Sequence, residues 1–232
     1  MYDEKFAKIY NKDWAYFSER LAQNILNLEM NRQSVLDLGC GTGNFLRALE
    51  NHFEQCVGID LSEPMINIAK QNCKKSELFI GNILDFHFDK KFDLITCNYD
   101  MINHLNSIDE YLIVFKNVFN HLKKGGLFLF DFNTSNFINN INTDLIKWED
   151  DDTIKTSQDT LIDDNHAMFE IKVYNKQNKL IASINEVESF YDYKTIENAL
   201  KQAKFNNILF CDKDLKETEN FSAKRLFVMC KK

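Results

Sequence analysis

A glycine-rich turn between an apolar run and a helix start constrains the fold of this chain most. The apolar run 35–38 is followed by Gly39, Gly41 and Gly43, and Asn44 then begins an apolar pattern of helical spacing. Glycine lets a ligand approach the backbone closely, and a helix start supplies N–H groups that have no partner within the helix. We therefore expect an α/β unit whose first strand and helix are joined by a ligand-binding turn.

The scarcity of glycine elsewhere strengthens this expectation. The 232 residues include seven glycines and one proline, all between Gly39 and Gly126, where average usage would give ~16 and ~12. Lysine, asparagine, isoleucine and phenylalanine are abundant, as an AT-rich genome would produce. Glycines kept against that bias mark positions where another residue would not serve.

Short apolar runs alternate with helical patterns over the first 132 residues. The predicted strands are 35–38, 56–60, 78–80, 92–97 and 127–131, and they follow a helix predicted within 12–28. Ser62 is expected to cap a helix, and the pair Gly125-Gly126 to end the helix before the fifth strand. This alternation favours an α/β fold, a doubly wound and mostly parallel sheet with helices on both faces.

The pattern changes between residues 153 and 193. Three stretches, 153–162, 166–174 and 180–190, alternate apolar and polar residues and predict a small antiparallel β insert after the fifth strand. A helix and two strands, near 208–211 and 226–230, complete the chain. We assign 1–134 and 191–232 to one ligand-binding domain, and 135–190 to a β-rich insert that covers the site or contacts the substrate.

Charge and composition argue against several classes of protein. The net charge is −7 and no basic stripe is present to neutralise phosphates, so we expect no nucleic-acid partner. The six cysteines form no C-x-x-C pair, and we expect reduced thiols and a cytoplasmic location. No signal-peptide profile and no apolar run of about 18 residues occurs, so no membrane partner is expected.

Two carboxylates indicate the kind of ligand that the turn binds. The turn reads G-x-G-x-G, whereas a dinucleotide site usually reads G-x-G-x-x-G. Asp37 lies two residues ahead of it, and a carboxylate there suits a ligand with an ammonium group better than a pyrophosphate. Asp60 ends the second predicted strand, 21 positions after Gly39, where a carboxylate can accept hydrogen bonds from ribose hydroxyls.

Together these motifs resemble the class I S-adenosylmethionine-dependent methyltransferases. Within that family the layout is similar to the bacterial small-molecule enzymes, a group that includes amino-sugar N-methyltransferases. Asp37, Gly39, Gly41 and Gly43 match the family signature D/E-x-G-x-G-x-G, and the resemblance covers roughly residues 1–132 and 185–231. It implies a Rossmann-like sheet of seven strands with an antiparallel last strand. It also implies S-adenosyl-L-methionine as the cofactor, with S-adenosyl-L-homocysteine as its product.

The resemblance further implies a set of cofactor contacts. Asp60 resembles the ribose-binding acidic residue of the family, and Tyr2 and Tyr10 are candidates to cover the cofactor. Asn82 stands where the family often has Asp, and an amide there can still meet the adenine edge. The implied contacts are Tyr10, Asp37, Gly39, Cys40, Gly41, Thr42, Gly43, Asp60, Leu61, Met65, Asn82, Ile83 and Asn98.

The segment after the fourth predicted strand carries the candidate acceptor residues. It lacks the N/D-P-P-Y/F motif that amino-adenine and glutamine-amide methyltransferases carry there, which argues against those classes. His104 is the leading candidate for a general base, because a group that titrates near neutrality serves best and this histidine follows a strand at the ligand-binding edge of the sheet. The alternative is a helix-start histidine held by backbone contacts. The candidate acceptor contacts are Tyr99, Asp100, Asn103 and Asn133.

These interpretations favour a methyltransferase that acts on an O or N atom of a small polar metabolite, as a monomer or homodimer. A sugar or sugar-nucleotide precursor of a surface polysaccharide or natural product is one such acceptor. No metal is expected, and the acidic run 149–152 is interpreted as a solvated loop. Action on a protein or tRNA is the second hypothesis, and a non-catalytic S-adenosylmethionine-binding module is the third.

Overall fold

The computed structural model describes residues 3–13, 15–150 and 152–232, so Tyr2 lies outside the described residues. Within them, one seven-stranded and one four-stranded sheet are present. The strands are β1 (Ser34–Leu38), β2 (Gln55–Asp60), β3 (Glu77–Ile80), β4 (Phe92–Cys97), β5 (Leu122–Asn133), β6 (Ile146–Glu149), β7 (Thr153–Leu161), β8 (His166–Asn175), β9 (Leu180–Ser189), β10 (Asn207–Cys211) and β11 (Arg225–Lys231).

The helices connect these strands and cover the large sheet. They are α1 (Glu4–Asp13), α2 (Ala15–Leu26), α3 (Asn44–Leu49), α4 (Glu63–Asn72), α5 (Ile108–His121), α6 (Ser135–Ile138) and α7 (Tyr193–Gln202), with a 3-10 turn at Met101–His104. Ser62 caps α4 as predicted, because its hydroxyl accepts a hydrogen bond from the Met65 N–H. In the described part of the chain, no helix combines the length and apolar character needed to cross a bilayer.

The large sheet confirms the predicted doubly wound, mostly parallel architecture. Its strand order is β3-β2-β1-β4-β5-β11-β10. β11 runs antiparallel to both of its neighbours, and the remaining pairs are parallel. The chain reverses its direction of winding between β1 and β4. The carboxyl ends of strands at such a reversal are where doubly wound sheets bind ligands.

Apolar side chains bury both faces of this sheet. On one face, Phe115 of α5 and Leu200 of α7 pack in a cluster with Phe128 of β5. On the other face, Ile25 of α2 and Phe45 of α3 pack in a second cluster. β1 is buried along its whole length, as the central strand of a doubly covered parallel sheet requires. The buried strands therefore hold the turn after β1 on a rigid base.

The N-terminal segment forms two helices, where one was predicted within 12–28. α1 ends at Asp13 and α2 begins at Ala15. Each helix has its own packing partners. Phe6 of α1 contacts the small sheet, and Ala7 packs beside α4, whereas α2 contacts α3. Because α1 bridges the large sheet and the insert, its apolar residues do not continue the pattern of α2.

The helix before the fifth strand ends earlier than predicted. Its last residue is His121, and Gly125-Gly126 lies within β5 instead of ending the helix. The pairing of β4 with β5 shifts between Phe92 and Leu94, so the extra residues of β5 form a bulge that contains the two glycines. The glycine pair therefore forms part of a strand bulge. Two adjacent glycines are compatible with a bulge as well as with a helix end, so the sequence pattern alone does not distinguish the two.

The insert is an antiparallel sheet of four strands, where three were predicted. Its order is β6-β7-β8-β9, and β6 is the strand that was not predicted. The acidic run was interpreted as a loop, but its first residue, Glu149, ends β6. The Asp150 carboxylate accepts hydrogen bonds from Lys155 Nζ at 3.0 Å and from the Thr153 N–H at 2.7 Å. The bond from Lys155 is the main reason why the pKa of Asp150 is lowered.

Candidate functional site

The glycine turn brings the end of β1 against α4. Gly39, Gly41 and Gly43 have φ values of 69°, 52° and 75°, in the left-handed region that side chains disfavour. A Cβ atom on Gly43 would lie 2.8 Å from Sγ of Cys73 and 3.0 Å from Cβ of Ala69. Gly43 therefore supports both the backbone conformation of the turn and the close packing of α4 on it.

Replacing Gly43 with Ala is expected to destabilise the protein by about 2–3 kcal/mol, because the strained φ and the steric overlap both oppose a Cβ. A change of this size would lower the melting temperature by about 4–12 °C, measured by differential scanning calorimetry. The control is Gly81→Ala, where the nearest atom to a new Cβ is Ile59 Cβ at 3.9 Å. Equal losses of stability in the two variants would contradict this account of the turn.

Asp37 lies beneath the turn at the end of β1. Its side chain is 3% exposed and accepts a hydrogen bond from the hydroxyl of Thr96 at 2.7 Å. Burial raises the pKa of Asp37 to about 7, and the bond from Thr96 acts in the opposite direction. A positively charged ligand group beside this carboxylate would offset the cost of burying its charge.

Asp60 connects the turn to the start of α4. Its two carboxylate oxygens accept hydrogen bonds from the N–H groups of Gly41 and Ser62, each at 2.8 Å. Burial raises the pKa of Asp60, and these two bonds lower it. Each oxygen has a second lone pair, so the carboxylate can hold the turn and also accept hydrogen bonds from ribose hydroxyls.

Asn98 follows β4 and faces the same pocket. Its side chain is 4% exposed, and neither its Nδ2 nor its Oδ1 has a hydrogen-bond partner within the described residues. Buried amide groups are rarely left without partners. An unpaired donor and acceptor lining the pocket therefore fit a polar ligand that completes them. Because of this unpaired amide, the residues that line the pocket fit S-adenosylmethionine.

The structure brings most of the predicted cofactor contacts into one pocket. The ring of Tyr10 lies over the turn, with Cε1 3.7 Å from where a Cβ on Gly41 would be. The space between the lining groups is about 60 Å³. The predicted residues that line the pocket are Tyr10, Asp37, Gly39, Cys40, Gly41, Thr42, Asp60, Met65 and Asn98.

Four predicted contacts do not line the pocket, and one of them is Gly43, which packs against α4. Leu61 is 56% exposed, and Ile83 is buried in the core. The side-chain oxygen of Asn82 accepts a hydrogen bond from the Leu84 N–H at 3.0 Å and so shapes its own loop. Sequence reasoning missed four residues that line the pocket. They are Ser18, Asn44, Phe45 and Met101. Only Asn44 could have been found from the local sequence, because it directly follows the glycine signature.

A second cavity adjoins the cofactor pocket. Its volume is about 180 Å³. Its walls come from α1, from the segment after β4 and from strands β8 and β9 of the insert. Tyr10, Tyr99 and His104 line both this cavity and the cofactor pocket. The two spaces are therefore neighbours, and His104 lies where a cofactor and an acceptor would meet.

A network of charged groups holds the segment after β4. The N–H groups of Tyr99 and Asp100 donate to the two oxygens of Asp131, at 2.7 and 3.0 Å. Arg225 of β11 pairs with Asp131 and lies 3.4 Å from Asp100. Asn133 donates to Asp100 at 2.8 Å. Of the predicted acceptor contacts, Tyr99 and Asp100 line the second cavity, while Asn133 orients Asp100.

Asn103 was predicted to contact the acceptor, but its side chain bonds to the backbone instead. It is fully buried, and its Nδ2 donates to the backbone carbonyls of Asn133 at 2.9 Å and Ser189 at 2.7 Å. Its Oδ1 accepts a hydrogen bond from the Asn133 N–H at 2.9 Å. The side chain therefore joins the two ends of the insert to the segment after β4. With its amide used in this way, it does not face the cavity.

Comparisons with known proteins agree with this geometry. A family profile described as "Methyltransferase domain" matches residues 35–126, which contain the glycine turn and Asp60. A crystal structure of a S-adenosylmethionine-dependent methyltransferase from Clostridium acetobutylicum ATCC 824 matches with a TM-score of 0.82 and 27% identity. That match covers 98% of this chain and 97% of the other, so it includes the insert.

Two curated relatives are also informative. The dTDP-4-amino-2,3,4,6-tetradeoxy-D-glucose N,N-dimethyltransferase of Saccharopolyspora spinosa is 30% identical over 134 residues, 55% of this chain and 54% of that protein. An uncharacterized protein of Methanocaldococcus jannaschii is 30% identical over 216 residues, 88% of this chain and 74% of that protein. The chain spans about half the length of several methyltransferases that it matches. From the matched domain, the shared fold and the position of Asp37 at the glycine turn, we conclude that this chain belongs to the class I S-adenosylmethionine-dependent methyltransferases.

Proposed function

We propose that this protein transfers a methyl group from S-adenosylmethionine to an O or N atom of a small polar metabolite. The observation that carries this proposal is the pair of adjoining cavities that share Tyr10, Tyr99 and His104. One cavity has the groups suited to the cofactor, and the other has room for about six water molecules, or one small ring. A volume of this size favours a small acceptor over a protein side chain held in an extended groove.

A sugar or sugar nucleotide is our proposed acceptor class. The Saccharopolyspora spinosa relative is named for a dTDP-linked amino sugar, and it is similar to this chain over about half of its length. The small sheet supports the same proposal, because its strands β8 and β9 contribute side chains to the lining of the second cavity. A concave site of this kind suits a ring that is bound on several sides.

The chain's own residues have separable roles in this proposal. S-adenosylmethionine, when bound, supplies a methyl carbon on a positively charged sulfur that leaves as a neutral thioether. Asp37 faces the ammonium group of the cofactor, Asp60 holds the ribose, and the unpaired side-chain amide of Asn98 bonds to the ligand. His104 accepts the proton that a hydroxyl or ammonium acceptor must lose. The walls of the second cavity fix the acceptor's orientation, an effect that can be worth about 7–11 kcal/mol.

Replacing His104 with Ala is expected to lower kcat by about a hundredfold, the usual contribution of a general base. Binding of S-adenosylmethionine should change less than about threefold, because other groups hold the cofactor. Turnover is followed as S-adenosylhomocysteine formation with a panel of sugars and amino sugars. The matched control is His87→Ala, since His87 is exposed and pairs only weakly with Asp89 at 3.3 Å.

The outcomes of this experiment separate the hypotheses. Cofactor binding with turnover that depends on His104 supports a methyltransferase with this base. If His104→Ala leaves turnover unchanged, His104 is not the general base, but the methyltransferase activity stands. A protein that binds S-adenosylmethionine tightly but methylates no small molecule, protein or tRNA would be a binding module. Failure to bind S-adenosylmethionine would overturn the proposal as a whole.

A further inference from the structure

Glu188 is a buried carboxylate with an unused oxygen in the wall of the second cavity. It lies near the end of β9, is 9% exposed, and lines the cavity. Its Oε2 has no hydrogen-bond partner within the described residues. A buried charged or polar oxygen without a partner is costly. The cavity therefore presents a polar atom that a ligand with a hydrogen-bond donor would satisfy.

The other charged groups around Glu188 indicate whether a ligand's hydrogen-bond donor there is a cation or a neutral group. Asp100 and Glu186 line the same cavity, so it has three carboxylates. Burial is the main cause that raises the pKa of Glu188 to about 8, and the charges of Asp100 and Glu186 add to it. Arg225 and Asn133 act in the opposite direction. Arg225, however, is already engaged by two other carboxylates, Asp131 and Asp100.

The rest of the cavity lining is largely apolar. It consists of Phe6 of α1, Phe169 and Ile171 of β8, and the rings of Tyr10 and Tyr99. Apolar and aromatic surfaces accommodate a carbon skeleton, and aromatic faces also attract a cation. The cavity thus combines carboxylates with apolar surface. A hydroxyl acceptor has no charge to match those carboxylates, whereas an alkylammonium ion does.

We propose that this cavity takes an aliphatic amine that arrives as an ammonium ion, and that Glu188 binds its nitrogen and removes its proton. This inference deepens the proposed function and rests on it for the fate of the amine. It selects N over O as the atom methylated. The group that recognises the acceptor then lies in the insert and not in the large sheet, because Glu188 belongs to β9.

The proton transfer balances without any further reactant. One N–H bond of the ammonium breaks, the proton forms an O–H bond with the Glu188 carboxylate, and the electron pair stays on nitrogen. The amine is then neutral and has the lone pair that nucleophilic attack needs. Glu188 returns its proton to solvent before the next acceptor binds. For an ammonium acceptor Glu188 takes the first proton in place of His104, and His104, which lines both cavities, accepts the proton that the nitrogen loses after it has gained the methyl group.

The test uses the full chain loaded with S-adenosylhomocysteine, and it measures binding instead of turnover. Cyclohexylammonium and cyclohexanol are matched probes, since they differ in the charged donor and fit the same small cavity. Isothermal titration calorimetry at about pH 9, where Glu188 is ionised and an alkylammonium ion keeps its charge, is expected to show the ammonium probe binding at least twentyfold more tightly than the alcohol. Equal affinities for the two probes would overturn the proposal without recourse to any variant.

Variants then assign the effect to one residue. Glu188→Gln keeps the shape of the side chain and is expected to bring the affinity for cyclohexylammonium to within threefold of that for cyclohexanol. Glu170→Gln is the matched control, because Glu170 lies on the neighbouring strand β8, pairs with Lys172 and does not line the cavity, and it should lose less than threefold. Unchanged ammonium binding in Glu188→Gln, with the fold verified by its melting temperature, would assign recognition to another group and refute the proposal.

The failure of this inference can be told from failure of the proposed function. Selective ammonium binding in a protein that transfers no methyl group would support the amine cavity and contradict the methyltransferase activity. Methylation of a hydroxyl acceptor, together with equal binding of the two probes, would keep the activity and overturn the role of Glu188. The binding experiment and the turnover experiment therefore answer separate questions.

Discussion

Asp37→Asn is expected to weaken S-adenosylmethionine binding by about 3 kcal/mol, or about 150-fold at pH 8, because it removes a buried charge that faces a cation. The fold should tolerate the change, since the Asn side-chain oxygen can still accept the hydrogen bond from Thr96 that Asp37 accepts now. Calorimetric titration measures the loss. A loss below about fivefold would contradict the assignment of Asp37 to the cation.

The same carboxylate makes cofactor binding depend on pH. Burial raises the pKa of Asp37 to about 7, so below pH 7 the free protein mostly holds Asp37 protonated. A cation favours the charged form, and binding it then releases a proton. Affinity should therefore rise up to about tenfold per pH unit until the pKa is reached, and level off above it.

Two variants make this pH dependence specific. Asp37→Asn should remove the slope between pH 5.5 and 7, because no carboxylate is left to ionise at that position. His104→Ala should retain it, although His104 lines the same pocket. Asp85→Asn is the control for a charge change outside the pocket, on the exposed loop after β3. A slope that persists in Asp37→Asn would assign it to another group.

Asn103→Ala is expected to cause the largest loss of stability, about 3 kcal/mol. The change leaves the N–H and carbonyl of Asn133 and the carbonyl of Ser189 without their side-chain partner. Unsatisfied buried groups cost about 1–3 kcal/mol each, and partial relaxation reduces the sum. The melting temperature should fall by about 6–12 °C, since each kcal/mol shifts a domain of this size by about 2–4 °C.

An exposed asparagine nearby supplies the control. Asn106→Ala removes a side chain that bonds to Glu110 on the surface, and the protein should lose less than about 1 kcal/mol. The comparison is made by chemical denaturation of both variants in the same buffer. Equal losses would show that Asn103 is a replaceable surface-like position and would contradict its role at the base of the insert.

The cofactor half of the molecule could be predicted because its signals are local. Gly39, Gly41 and Gly43 encode a backbone conformation within five residues, and Asp37 and Asp60 occupy strand ends that the alternation of elements already locates. Most of the pocket follows from those positions. Local signals failed where one pattern has two uses, as when the glycine pair before the fifth strand formed a bulge instead of a helix end.

The acceptor half could not be predicted because its groups meet only through tertiary packing. Glu188 is one of several polar residues on an alternating strand, and alternation does not tell which face of the small sheet meets the turn after β4. Asn103 was singled out as a polar residue near the site, but only the fold reveals that backbone groups 30 and 86 residues away occupy its amide. Long-range pairing of this kind leaves no trace in local sequence.

The buried amide of Asn103 also bears on how such enzymes can be re-engineered. Both ends of the insert are held by one side chain, and that side chain binds only backbone N–H and carbonyl groups. Almost every residue type offers those groups. The Asn103 contact by itself therefore places almost no demand on the side chains of the segment that it anchors. We expect that a chimera which replaces residues 135–190 as a block would keep this contact, provided that the partners of Phe6 and Tyr111 in the insert are kept as well.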